Sequence, residues 1–134
     1  MASPENIKVL DLLIKSGNAK NITILLNTNG TLYNKKFLDH VLQFKEITMC
    51  ISVDDLGPRL EYERYPTEWN TIQDNISKFL ELRKNNSNLF LTLCPTVSIF
   101  NIYYLTDYLQ WAKSLGIFTY YNILHYPPSH SVKN

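Results

Sequence analysis

Glycine is scarce in this 134-residue chain, with four in all. They are too scattered for a phosphate-cradling loop. Charge of one sign is missing as well: 13 basic against 12 acidic residues give a formal net charge of +1. That balance supplies no field for nucleic acid or an anionic membrane. No apolar run is long enough to span a bilayer. The start, MASPENIKVL, lacks the basic and apolar regions of a signal peptide, so the cytoplasm is the expected compartment. The two cysteines, Cys50 and Cys94, are too far apart for a metal-ligand motif and too few for a disulfide scaffold. Each lies in an apolar run and is expected to be a buried, reduced thiol. No His/Cys/Asp cluster has metal spacing.

What is present is the composition of an ordinary folded protein, 45% hydrophobic and 19% charged. The length suits one domain over 1–134, with about 127–134 as a flexible tail. Ser3-Pro4 opens a helix that carries Ile7, Leu10, Leu13 and Ile14 at helical spacing and stops at Gly17. The run 22–26 reads as a buried parallel strand, ended by Asn27-Thr28-Asn29-Gly30. A helix over about 34–44 follows, then a strand over 47–53 and a long loop over 54–66. Thr67 is placed to cap a third helix with Trp69, Ile72, Ile76, Phe79 and Leu80 inward. A strand over 89–94 is stopped by Pro95. A fourth helix over about 102–115 leads to a strand over 117–124, halted by Pro127-Pro128. The alternation predicts an α/β fold of four consecutive parallel β/α units. Either a small doubly wound sheet or part of a (β/α) barrel fits this pattern.

The segment 47–64, ITMCISVDDLGPRLEYER, carries the most chemistry. It brings Ser52, Asp54 and Asp55 to one strand end, the place where parallel α/β proteins bind ligands. Asp54 and Asp55 are adjacent and point apart, so they do not form an acid/base pair. Ser52 and Asp54 could equally cap the strand end and form an Asx turn. Arg64 could pair with Glu61, Glu63 or Glu68, and Arg59 reads as solvated. Thr28 and Asn29 stabilise their turn, with Gly30 left-handed. Asn101 is placed to cap the fourth helix, and His125 reads as a local hydrogen-bonder at a strand end. His40 is expected on an exposed helix face.

Several of these stretches together resemble radical S-adenosylmethionine (SAM) enzymes of the twitch type. Thr28-Asn29-Gly30 resembles their TNG turn, and Ser52-Val53-Asp54-Asp55 their SxDG strand end, with Asp55 in place of glycine. Arg64 in EYERYP resembles their xxxRG segment. PTVSIFNIYYL, with Asn101, is similar to the next strand-to-helix junction, and HYPP, with His125, falls at the next strand end. The resemblance implies a partial, half TIM-barrel. It implies that Ser52, Asp54, Arg64, Asn101 and His125 face a SAM or substrate cleft, with Arg64 forked onto the SAM carboxylate.

The family's C-x3-C-x2-C loop, which holds a [4Fe–4S] cluster, is absent, and so is its GGEP segment. The expectation is therefore a central fragment of a longer protein, inactive alone and holding no cofactor by itself, with SAM and the cluster belonging to the full-length parent. Whether the chain is an enzyme is left open. A small doubly wound ligand-binding domain and a self-associating half-barrel scaffold are the alternatives. Exposed sheet edges at 22–26 and 118–124 would bring two copies together; neither nucleic acid nor membrane is an expected partner.

Overall fold

The computed structural model describes residues 3–132. Helix α1 spans Pro4–Lys15, and its N-cap Ser3 accepts the Asn6 N–H. Strand β1 is Thr23–Thr28, helix α2 Lys35–Val41 and strand β2 Glu46–Ile51. A short helix α3, Pro58–Glu63, precedes the long helix α4, Trp69–Lys84. Strand β3 is Leu89–Leu93, and the two-residue strand β4 is Thr96–Val97. Helix α5, Leu105–Ser114, leads to β5 at Phe118–Thr119 and β6 at Asn122–Ile123. The Tyr65–Pro66 and Tyr126–Pro127 peptide bonds are cis.

The fold is α/β with a parallel four-stranded sheet in the order β1-β2-β3-β5, with β1 and β5 at its edges. The strands stand side by side in chain order, with no reversal. A second parallel pair, β4 with β6, continues beyond the sheet's carboxyl end. The expected fourth strand over 117–124 is thus two short strands in two sheets. Its backbone is shared between them: the Tyr120 N–H reaches the Leu93 carbonyl, and the Asn122 N–H reaches that of Pro95.

Alternation decides which face of the sheet is dry, because side chains point to opposite faces every second residue. Ile47, Met49 and Ile51 of β2 and Leu89, Leu91 and Leu93 of β3 are buried. They form one core with Phe37, Leu38 and Val41 of α2, Ile72, Ile76 and Phe79 of α4, and Tyr108 and Ala112 of α5. Among the described residues no helix packs on the other face. Leu25 is 66% exposed, Phe90 50% and Phe118 72%. The reading of β1 as a buried strand is therefore corrected: Ile24 and Leu26 pack against the core, while Leu25 between them lies on the bare face. Cys50 and Cys94 lie in the bare-face register and are half-buried rather than buried. Burial first, and the neighbouring Cys50 thiol second, push the Cys94 thiol up to about 12.

Two polar anchors fix the loops. Buried Asn75 of α4 donates to the Gly30 carbonyl at 2.9 Å, tying the turn after β1 to the helix layer. Asn88 donates to the carbonyls of Leu42 and Phe44, tying the start of β3 to the end of α2. Gly30 itself has φ +77°, and a Cβ there would lie 3.3 Å from both Ile51 and Ile72. Gly30→Ala combines a left-handed alanine with crowding against two core side chains. It should cost about 2 kcal/mol, measured by thermal unfolding.

Two smaller expectations also change. Thr67 does not cap α4; Glu68 occupies that position, and the first free amide, Trp69 N–H, is satisfied at 2.8 Å by the Glu61 carboxylate. Residues 128–130, within the expected tail, form a 3-10 turn. There the His130 ring packs edge-on against Phe100, and its carbonyl accepts the Ile99 N–H. Lys133 and Asn134, at the end of that tail, lie outside the described residues, as do Met1 and Ala2.

Candidate functional site

The loop expected over 54–66 holds helix α3, and this helix makes the site. Pro58 at its first turn and the apolar Leu60, which is buried, are its local signals. Asp55 and Arg59 are four residues apart and bond at 2.8 Å, with the Asp55 side chain 1% exposed. The Asp55 carboxylate also accepts the Leu56 N–H. The Arg59 guanidinium lies 4.0 Å over the Tyr104 ring, so Arg59 is bound on two sides rather than solvated.

Asp54 points the other way, as its neighbour relation requires. One carboxylate oxygen accepts the Thr96 N–H at 2.7 Å. The other accepts from Arg64 Nε, across a pair that is 10% exposed on the aspartate and 30% on the arginine. Arg64 therefore pairs with Asp54, not with Glu61, Glu63 or Glu68, because the turn of α3 brings residue 64 back over the end of β2. The Asp54 carboxylate thus links three segments: the end of β2, the end of α3 and the start of β4.

Asn101 is buried, and it serves the loop rather than the helix. It makes no side-chain capping bond. Its Oδ1 accepts the Ser98 N–H at 2.9 Å, and its Nδ2 donates to the Thr96 carbonyl at 2.9 Å and to a Glu63 carboxyl oxygen at 3.3 Å. Ser52 is half-buried, and its N–H donates to the Thr28 carbonyl at 2.7 Å. The ends of β1 and β2 are thus adjacent. Thr28 and Asn29 do stabilise their turn, the first accepting the Gly30 N–H and the second that of Thr31. His125 is exposed and is not among the residues lining the cleft. His40 is more enclosed than expected, 3.0 Å from Asp11 of α1.

The cleft lies at the carboxyl ends of β2 and β3. Its main cavity is about 370 Å3, lined by Asp54, Tyr62, Glu63, Thr96, Ser98 and Phe100, with Leu124 and His130. A second cavity of about 320 Å3 adjoins it and shares Tyr62, Glu63 and Phe100 with it. The sequence matches no protein-family model and no curated protein.

Glu63 is the residue that sequence reasoning missed as a site. One of its carboxyl oxygens is buried with no hydrogen-bond partner. Burial and the nearby charges of Asp54 and Asp55 push its carboxyl up to about 7, while Asn101 and Arg64 pull weakly the other way. The signal was the helix itself: once Pro58 starts a turn, residues 59, 62 and 63 fall on one side. Tyr108 has a second unpartnered buried group, its hydroxyl, and burial raises this phenol far above its ordinary value.

The Glu63 shift has a signed consequence. A folded-state carboxyl near 7, against an unfolded value of 4.5, holds its proton more tightly in the native protein. Its contribution is full below about pH 4.5 and is lost as pH rises through 7. The stability difference between wild type and Glu63→Gln should therefore shift against the wild type from pH 4.5 to 7.5, as read by urea unfolding.

The residues present do not by themselves hold the cofactors that the resemblance implies. Three convergent thiolates are needed for the cluster, and the chain has two cysteines. Among the described residues no three His, Cys, Asp or Glu side chains are grouped to hold a metal. For SAM, both oxygens of Asp54 and the Nε of Arg64 are already engaged with each other or the backbone. No helix among the described residues is long and apolar enough to cross a membrane.

Proposed function

We propose that this chain is the central part of a radical SAM-type partial TIM-barrel, acting in the cytoplasm and contributing one wall of a SAM and substrate cleft. The observation that carries this reading is the sheet. Its strands run in chain order without reversal, its helices cover one face only, and the TNG turn and SVDD end meet side by side at its carboxyl edge. A doubly wound sheet would have helices on both faces and a reversal of strand order. A barrel leaves its inner face free of helices.

On this reading Ser52, Asp54 and Arg64 belong to the wall, and Asn101 shapes it through Thr96 and Glu63. His125 is at its margin. The chain alone runs no radical chemistry, and SAM titrated into it binds more weakly than about 1 mM, some 4 kcal/mol. Micromolar binding without iron would overturn this account. The DNA upstream of Met1 gives the second test. A frame encoding C-x3-C-x2-C and a GGEP-like run supports the reading, and an open stretch with neither overturns it.

The bare face and the β1 and β5 edges support self-association of the isolated chain. A monomeric mass by light scattering at high concentration would rule that out.

A further inference from the structure

We infer that Glu63 is the anchoring carboxylate of a subsite for a guanidinium group, such as the side chain of an arginine in a substrate peptide. The inference deepens the reading of the strand-end cleft as a ligand site, and it rests on that reading. Glu63 lines both cavities, and so do Tyr62 and Phe100. One carboxyl oxygen has no partner, and the other has a single long contact, 3.3 Å from Asn101. A buried acceptor left open is costly, and a ligand that donates to it recovers that cost.

The cleft already holds one guanidinium, which shows what this wall accepts. Arg59 donates to the Asp55 carboxylate at 2.8 Å and lies 4.0 Å over the Tyr104 ring. Carboxylate plus aromatic ring is the combination that binds a planar, weakly hydrated cation. Glu63 with Tyr62 and Phe100 repeats those components within the same pair of cavities, and among the described residues Glu63 has no ion-pair partner. The local charge agrees. Arg59 and Arg64 are committed to Asp55 and Asp54 respectively, so an ionised Glu63 leaves the cleft one negative charge in excess.

The charged and titratable groups facing Glu63 from the surrounding elements are Asp54, Asp55, Arg59, Arg64, Tyr104 and His130, with Tyr62 as its neighbour on α3. With its carboxyl near pH 7 in the free protein, Glu63 must lose a proton to pair with the cation. Binding should therefore tighten as pH rises.

The test is titration of acetyl-arginine amide into the whole chain, followed by amide chemical shifts. The expected result is saturable movement at residues 62–64 and 98–101, with affinity rising about tenfold from pH 6 to pH 8. Glu63→Gln keeps the Asn101 contact and the native spectrum yet weakens binding at least tenfold. His130→Gln keeps the pH dependence. Acetyl-citrulline amide, the neutral isostere, leaves the cleft unmoved. The inference is overturned by equal binding of the citrulline compound, by unchanged binding in a folded Glu63→Gln, by movement confined to residues outside the cleft, or by no movement at all. The parent reading fails separately: an upstream frame without the cysteine motif removes it while guanidinium binding stands.

Discussion

Asp54→Ala should lower the stability of the chain by about 3 kcal/mol, with a fall of more than 1 M, roughly, in the urea midpoint. The carboxylate is 10% exposed and accepts from both the Thr96 N–H and Arg64 Nε. Its removal strands a backbone donor and a partly enclosed guanidinium together. Breaking a fully buried ion pair costs about 3–5 kcal/mol. The 30% exposure of Arg64 lets that group regain some water, which places the expected value at the lower end. Asp54→Asn should recover about half of the loss, because an amide oxygen still serves Thr96. A double-mutant cycle with Arg64→Ala should show the two losses to be strongly non-additive. A loss under about 0.5 kcal/mol for Asp54→Ala would mean that the link between β2, α3 and β4 bears no weight.

The larger effect is expected at Phe79. Its side chain is fully buried in the layer between α4 and the sheet, with its ring 5.3 Å from that of Tyr33. Phe79→Ala removes the ring and leaves a cavity that helix and sheet cannot both collapse into. The expected cost is about 4 kcal/mol, or a Tm lower by about 15 °C. Phe90→Ala is the matched control, since Phe90 is half-exposed on the bare face of the same sheet. It should change stability by less than about 1 kcal/mol. If the two variants lost equal stability, the assignment of one dry and one open face would fail.

Such a contrast was not readable in the sequence. Phe79 announces itself by helical spacing with Ile72 and Ile76. Phe90 and Leu25 sit in runs as apolar as any core strand, and nothing local tells which face is covered. That depends on where α2, α4 and α5 pack, and all three join the same core cluster. The same limit applies to Arg64 and Arg59. Their proximity to Asp54 and Asp55 along the chain was plain, but which acid each meets depends on the short turn of α3. The sequence reading of that stretch as a loop removed the turn. Asn101 is a further case, since a polar residue before a helix has cap chemistry. The partners it takes are the Thr96 carbonyl on β4 and, distant in sequence, the Glu63 carboxyl on α3.

The sequence alone determined the α/β class, the order of the main helices and strands, the turn chemistry at Thr28-Asn29-Gly30 and the strand end at which polar groups gather. Those features rest on local forces: hydrophobic period, caps and turn residues act within a few positions of the chain. The tertiary structure decided which sheet face is dry, that the last strand divides between two sheets, and that Asp54 and Arg64 satisfy each other. It also decided that Glu63 carries the one open carboxyl oxygen among the described residues of the cleft. Each of these depends on groups distant in sequence becoming neighbours, where burial and charge set the partner, and no local pattern encodes that meeting.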